Sequence, residues 1–339
     1  MKPKQHQGAS PAQLLPDESP LDRSVAVLRA RFGIADWQVI PGVLRARKSS
    51  VVRLRSPGSG HCAALKQYHD ALAAGLQAAA LRATRPLLDC AGSGFDVPEL
   101  YACFEQENAL LVEWIDARPL EQVLVRAALR PAAHWRAVML AGNWLRRFHE
   151  SSGITQAPFD AQRYRNLLAT RIAAAPAACA LLSADPLWIA ALRRFEQQAT
   201  VLEGRPVGST LTHGDFTSTN LLLGAGRVTG IDLWAHRRSP AVDDLARMFV
   251  YLAMGDPLPF TARLRPVPLE ARRAMQALFE GYGADLAAEL DREVWRHVVL
   301  YETLARWVAL AGRLAQRASF TESWKRGGLR ALVRTILDD

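Results

Sequence analysis

The chain has few cysteines, a shortage of acidic residues and no long apolar run. Half of its 339 residues are hydrophobic, yet no apolar stretch approaches the ~20 residues that span a bilayer, so no membrane span is expected. The four cysteines, Cys62, Cys90, Cys103 and Cys179, are scattered without the close repeated spacing of a metal site. They sit in apolar sequence, and free buried thiols of a reducing compartment are the expectation. Met1 to Pro20 is polar and proline-rich and lacks an apolar core segment. That argues against a secretory signal and predicts a disordered tail over 1–20, with a cytoplasmic location. Acidic residues number 33 against 42 lysines and arginines, a formal charge of +9. Such a chain repels polycations at long range and favours anionic or neutral partners. With no concentrated basic stripe and no recognisable reading motif, a nucleic-acid partner and its strong salt dependence are not expected. No internal repeat is evident, and the oligomeric state stays open.

Against these absences stands one segment. Leu211-Thr212-His213-Gly214-Asp215-Phe216-Thr217-Ser218-Thr219-Asn220-Leu221-Leu222 is followed by Ile231-Asp232-Leu233. It supplies a carboxylate, a carboxamide five residues on and a second carboxylate twelve residues later. Phosphoryl transfer uses such a set: one carboxylate to orient a hydroxyl and accept its proton, an amide oxygen and a second carboxylate to hold Mg²⁺ against phosphates. Leu221 to Leu223 after Asn220, and Val228 and Ile231 before Asp232, read as short buried strands that fix these groups by packing. The bland alternative is a loop in which Asp and Asn cap local backbone.

The segment resembles the catalytic loop of the aminoglycoside phosphotransferase and choline kinase-like family, small-molecule relatives of the protein kinases. The resemblance implies Asp215 as catalytic base and Asn220 and Asp232 as Mg²⁺ ligands. Ala63-Ala64-Leu65-Lys66 is similar to the strand bearing the phosphate-binding lysine. Leu110 to Leu120, with Glu113, Trp114 and Ile115, resembles the hinge between lobes, against whose backbone adenine would lie. Leu140 to His149 resembles the helix before the catalytic segment, and Pro240-Ala241-Val242-Asp243-Asp244-Leu245-Ala246 the helix start after the second metal ligand. The implied fold is α+β and bilobal, protein kinase-like, with a disordered tail at 1–20, a nucleotide-binding N-lobe over 21–115 and a mostly helical catalytic C-lobe over 116–339.

The residues themselves give a consistent outline. Leu21, Val25, Leu28 and Phe32 share a helical face over 21–33. Strands are predicted at Trp37–Ile40, Val51–Leu54 and Cys62–Tyr68, with turns at Pro41-Gly42 and Pro57 to Gly60. A helix is predicted over 70–84, then a hairpin of Pro98–Phe104 and Ala109–Ile115 turning at Glu107-Asn108. Helices are predicted over 269–283 and 288–318.

Two departures stand out. The helix after Lys66 contains no Glu, and Gln77 occupies the place where an acid would pair with the lysine. The phosphate loop, Arg45-Ala46-Arg47-Lys48-Ser49-Ser50, lacks glycine, leaving Ser49 and Ser50 with backbone N–H groups to meet phosphates and Arg47 and Lys48 to add charge. His213 is expected to brace the loop rather than do chemistry, and Asp244 to cap its helix or brace the catalytic loop.

The leading expectation is therefore an ATP- and Mg²⁺-dependent phosphotransferase acting on a hydroxyl of a small molecule. Sugars, amino sugars and amino alcohols are candidate acceptors; the positive charge disfavours aminoglycosides, which are polycations. The alternative is a nucleotide-binding pseudokinase with a regulatory role. Acceptor recognition is sought at Trp234, His236, Arg237, Arg238, Trp295, Tyr301, Glu302 and Trp307, with helix aromatics read as core unless shown otherwise.

Overall fold

A computed structural model describes residues 20–45, 49–70, 72–88, 94–224, 226–234, 237–254, 268–283, 285, 290–316 and 320–338. The expected tail (save Pro20), Arg47, Lys48, Cys90 and His236 lie outside the described residues. The chain divides into two compact units: Met1–Gly75 with Leu100–Trp114, and Leu76–Glu99 with Ile115–Asp339.

The first unit is a helix, α1 (Pro20–Phe32), on a five-stranded antiparallel sheet ordered β1-β2-β3-β6-β5. Its strands are β1 (Gln38–Arg45), β2 (Ser49–Arg55), β3 (Cys62–Tyr68), β5 (Leu100–Phe104) and β6 (Ala109–Glu113); β4 (Phe95–Asp96) belongs to the second unit. Leu28 from the helix face, Trp37, Leu54, Ala63, Leu65, Ala109 and Leu111 form the core, with Leu21, Val25 and Phe32 packed against it. Each fully buried leucine contributes about 1.5–3 kcal/mol. The turn predicted at Pro41-Gly42 is instead inside β1, at an irregularity in register between Ile40 and Leu44, where an edge strand tolerates a proline without a donor. The hairpin turn falls where expected. Asn108 takes a left-handed φ of 50°, donates its side-chain amide to Tyr68 O (3.1 Å) and Asp70 O (2.5 Å), and accepts from Ala74 N (2.9 Å). One turn residue thus ties the hairpin to the end of β3 and the start of α2 (Ala73–Leu88).

The second unit is mostly helical: α3 (Leu120–Arg126), α4 (Pro131–Ser151), α5 (Ala161–Ala173), α6 (Pro176–Leu182), α7 (Pro186–Leu202), α8 (Val242–Met254), α9 (Pro268–Tyr282), α10 (Arg292–Gln316) and α11 (Phe320–Asp338). Two small sheets position the loops between them. One runs β4-β11-β10-β7, with β7 (Arg118–Pro119), β10 (Leu221–Gly224) and β11 (Arg227–Gly230); the other runs β12-β9-β8, with β8 (Thr155–Pro158), β9 (Pro206–Leu211) and β12 (Arg238–Pro240). Buried residues of α4 at Ala137, Val138, Ala141, Trp144, Leu145 and Phe148 follow helical spacing and face the core. Helices α4 and α9 meet backbone to backbone: a Cβ on Gly142 would lie 2.2 Å from Leu278 O, and one on Gly281 2.1 Å from Met139 O.

Candidate active site

The loop after β9 is held from beneath by one carboxylate. Asp244, buried in the first turn of α8, accepts hydrogen bonds from His213 N (2.6 Å) and Gly214 N (3.0 Å). His149 Nε2 donates to the same carboxylate (3.2 Å) while its Nδ1 meets the Tyr282 hydroxyl (2.9 Å). Burial opposes charge on Asp244, but the His149 contact, together with His213 and its backbone N–H, holds the carboxyl below the usual range. Gly214 needs its left-handed φ of 80°, and a Cβ there would sit 3.0 Å from Trp234 Cβ. His213 is fully buried against Trp144 and Phe216, and its Nδ1 accepts from Asp215 N (3.3 Å). Burial pushes its imidazole toward the neutral form, against the pull of Asp244 and Asp215. Phe216 stacks on Trp144 at 5.6 Å, and Trp144 donates its indole N–H to Asp96 O (2.9 Å).

Asp215, Asn220 and Asp232 converge on this frame. Asn220 Nδ2 donates to Asp215 O (2.9 Å) and Asp215 Oδ2 (3.1 Å), which spends both its protons and sets the amide so that its oxygen is the atom left for a cation. Ile231 N donates to Asn220 O (2.9 Å), continuing the β10–β11 ladder and bringing Asp232 alongside Asn220. Asp232 adopts a left-handed φ of 61°, a conformation that costs an ordinary residue energy and marks imposed geometry. An amide oxygen and a carboxylate are the hard donors that Mg²⁺ takes, with water and phosphate oxygens completing its shell. Among the described residues no cluster of three or more His, Cys, Asp or Glu forms a separate metal site.

Asp215, 40% exposed, has two arginine partners: Arg247 from α8 at 3.5 Å and Arg306 from α10 at 3.9 Å. Arg247 is committed elsewhere. Its Nε and Nη2 donate to Glu302 Oε1 (3.1 and 2.8 Å), and Nη1 donates to Gly214 O. Burial disfavours the Arg247 charge, but Glu302 outweighs it and Asp215 and Asp244 add to it, so the guanidinium is held more firmly charged than usual. Arg306 lies over the Tyr251 ring at 4.3 Å.

In the first unit, β3 sets Lys66 opposite Val51 and Leu110, and its Nζ lies 4.9 Å from the Tyr68 ring. Ser49 is buried opposite Tyr68, and Ser50 pairs with Gln67. Glu113 ends β6 opposite Ala63; Trp114 N reaches Cys62 O (3.5 Å), and the Arg53 guanidinium stacks on the Trp114 ring at 4.6 Å. Ile115 opens the longer segment of the second unit. Gln77 lies in the part of α2 that belongs to the second unit, 2% exposed, with no hydrogen bond to its side-chain nitrogen among the described residues.

The model of the phosphotransferase enzyme family, APH, matches residues 43–278. The chain belongs to this phosphotransferase family. None of the curated proteins matches it. Among solved structures, the choline/ethanolamine kinase family protein from Mesorhizobium loti superposes with a TM-score of 0.56 at 16% identity, over 94% of this chain and 95% of that one. Spectinomycin phosphotransferase in complex with ADP and spectinomycin gives 0.53 at 15%, over 96% and 98%. Glucosamine kinase in complex with glucosamine, ADP and inorganic phosphate gives 0.52 at 14%, over 91% and 96%. At such identities the likeness is one of fold, the protein kinase-like fold.

Some expectations for this phosphotransferase hold and others need correction. Tyr301 and Trp307 are buried: Tyr301 packs on Tyr164 and Phe195, and Trp307 on Trp188. Trp295 packs edge-on to Phe279 and against Phe249. Tyr301 and Trp307 are core aromatics, as expected of a helix face, Trp295 is half-buried, and of the late-helix candidates Glu302 reaches the surroundings of Asp215, through Arg247. Arg238 is consumed by the carbonyls of Ser152, Gly153 and Ser209. Cys62, Cys103 and Cys179 form no disulfide and are half-buried rather than buried. The sequence reading missed Arg247, Tyr251 and Arg306. The available signal was their spacing, Asp244, Arg247 and Tyr251 on one face of α8 and Glu302 and Arg306 one turn apart on α10.

Proposed function

We propose that this phosphotransferase moves the γ-phosphoryl group of ATP to a hydroxyl of a small molecule. The observation that carries the proposal is the Asp215–Asn220 clamp on a loop braced by Asp244, with Asp232 held alongside in a strained conformation. Asp215 orients the acceptor hydroxyl and takes its proton as oxygen bonds to phosphorus and the bond to ADP breaks; such a base contributes about 10²–10⁴ in rate. Asn220 and Asp232 would hold Mg²⁺, which when bound neutralises charge on the phosphates. Lys66 meets the α- and β-phosphates, and Ser49 and Ser50 offer hydroxyl and backbone donors to them. Glu113, Trp114 and Ile115 line adenine. The glucosamine kinase and spectinomycin phosphotransferase structures hold ADP, and that of amicoumacin kinase holds AMP-PNP and Ca²⁺, which supports nucleotide and divalent-ion use here.

The test is ADP release with Mg²⁺ over a panel of hydroxylated acceptors, beside Asp215→Asn and with nucleotide binding followed separately. Turnover on one acceptor, lost by at least 10²-fold in the variant, is expected. A second reading, a regulatory pseudokinase, draws on the absence of Glu from the helix that follows Lys66. ATP binding without turnover on any acceptor favours it; no ATP binding refutes both.

A further inference from the structure

We infer that the acceptor of this phosphotransferase carries an oxyanion, a carboxylate or phosphate, near the hydroxyl that receives the phosphoryl group, and that Arg306 binds it. This rests on the kinase reading above and deepens it. A hydroxyl placed to give its proton to Asp215 lies about 2.6–3.2 Å from that carboxylate. Among the described residues both ion-pair partners of the carboxylate are arginines, at 3.5 and 3.9 Å, so a hydroxyl placed there has two guanidinium groups close by.

The two arginines are not equivalent. Arg247 gives Nε and Nη2 to Glu302 and Nη1 to Gly214 O, so its charge is balanced and its donors are committed. Arg306 is different. Its separation of 3.9 Å from Asp215 is an ion pair but too long for a hydrogen bond, and among the described residues it donates none. Its Cζ lies over the Tyr251 ring at 4.3 Å, a contact that holds the guanidinium while leaving its N–H groups unspent. Its side chain is 22% exposed, beside an Asp215 that is 40% exposed, so both are reachable by solute. The planar fork of guanidinium donors fits the paired oxygens of a carboxylate or phosphate. An ammonium placed on those donors would be repelled by the Arg306 guanidinium, and the chain's charge of +9 acts in the same direction at long range.

The experiment uses the full chain and two frames of matched acceptors: glycerol, serinol, glycerate and glycerol 3-phosphate; glucose, glucosamine, glucuronate and glucose 6-phosphate. Turnover is followed as ADP release, and binding of each compound by calorimetry with and without AMP-PNP and Mg²⁺. The expected result is that the acids of at least one frame bind and turn over at least tenfold better in kcat/KM than their neutral partners, with the carboxylate and phosphate arms telling which oxyanion is used. Arg306→Gln should lower the acid-to-neutral ratio at least tenfold, mainly through KM, with partial rescue in Arg306→Lys. Arg313→Gln, which removes a like charge paired with Glu322 further along α10, should leave the ratio unchanged. A preference for the neutral or amine members overturns the inference. So does the failure of every acid to bind, or an Arg306→Gln effect that falls equally on all acceptors through kcat, which would assign the arginine to the transferring phosphoryl group. If AMP-PNP does not bind, the kinase reading fails, while acid binding without nucleotide still judges the arginine.

Discussion

Replacing Asp244 by Asn isolates the brace under the catalytic loop with almost no change in shape. In the wild type one carboxylate oxygen accepts from His213 N at 2.6 Å and His149 Nε2 at 3.2 Å, and the other accepts from Gly214 N at 3.0 Å. An amide keeps one oxygen. Whichever way it turns, an NH₂ group faces a buried donor, and the remaining bonds lose their charge. A hydrogen bond to a charged group contributes about 1.5–3 kcal/mol, and a buried donor left unmade costs about 1–3 kcal/mol, so a loss of roughly 3 kcal/mol is expected. For a unit of this size that lowers the melting temperature by about 6–12 °C. The loop would also lose the fixed position of Asp215, and displacement of about 1 Å at a reacting group costs about 10² in rate. Melting followed by circular dichroism, with ADP release on the best acceptor, measures both. The pH dependence supplies a further check. The Asp244 carboxyl is held below its unfolded range, so its stabilisation is present above that range and lost as pH falls through the folded value. The gap between wild type and variant should therefore be widest near neutrality and close in strong acid. A variant that melts within a degree of the wild type at pH 7.5 and keeps its kcat would refute the reasoning.

His297 and Asp243 should give opposite slopes of stability against pH. His297 is fully buried, stacked on Phe195, with neither ring nitrogen hydrogen-bonded among the described residues, and burial lowers it to about 4. It withdraws up to about 3 kcal/mol as pH falls from 6.5 toward 4, so His297→Phe should be more stable than the wild type at pH 5. Asp243 is raised to about 6, chiefly by burial, with Arg163 and the Tyr164 hydroxyl pulling it back. Its contribution is full below the unfolded value near 4 and is lost as pH rises through 6, so the His297→Phe protein should lose stability from pH 4 to 6; a rise over that window sinks the assignment. Gly142→Ala should lower the melting temperature sharply, because the new Cβ meets Leu278 O and Tyr282 N, backbone atoms that cannot rotate away. Gly312→Ala, in the interior of α10 with its nearest neighbour at 4.0 Å, should stabilise by about 0.5–1 kcal/mol, and equal effects from the two would contradict the packing described.

Much of the first unit was legible because its signals are local. The spacing of Leu21, Val25, Leu28 and Phe32 marks α1, and the Glu107-Asn108 pair marks the hairpin whose turn Asn108 makes. Pro41-Gly42 misled because a proline inside an edge strand looks the same in sequence as a turn. The grouping of Asp215, Asn220 and Asp232 was legible too, since a tight loop and a hairpin bring residues of fixed spacing together. The arginines beside Asp215 were not. Arg247 and Arg306 come from two helices more than fifty residues apart, and only the packing of α8 and α10 brings both to the same carboxylate. Tyr301 and Trp307 are core, as a helix face rich in aromatics suggests, but nothing local says against what they pack.

Helix α8 divides its labour by turn. Asp244 in its first turn holds the N–H groups of the loop, Arg247 one turn on holds its Gly214 carbonyl and faces Asp215, and Tyr251 two turns on carries Arg306 on its ring. Substitution at 251 alters the surroundings of Asp215 without touching a hydrogen bond of its loop, whereas substitution at 247 also removes the bond to Gly214 O. A fold arranged in this way can be retargeted by single replacements along one helix, and a library confined to 247, 251, 302 and 306 is the shortest route to a variant with a different acceptor.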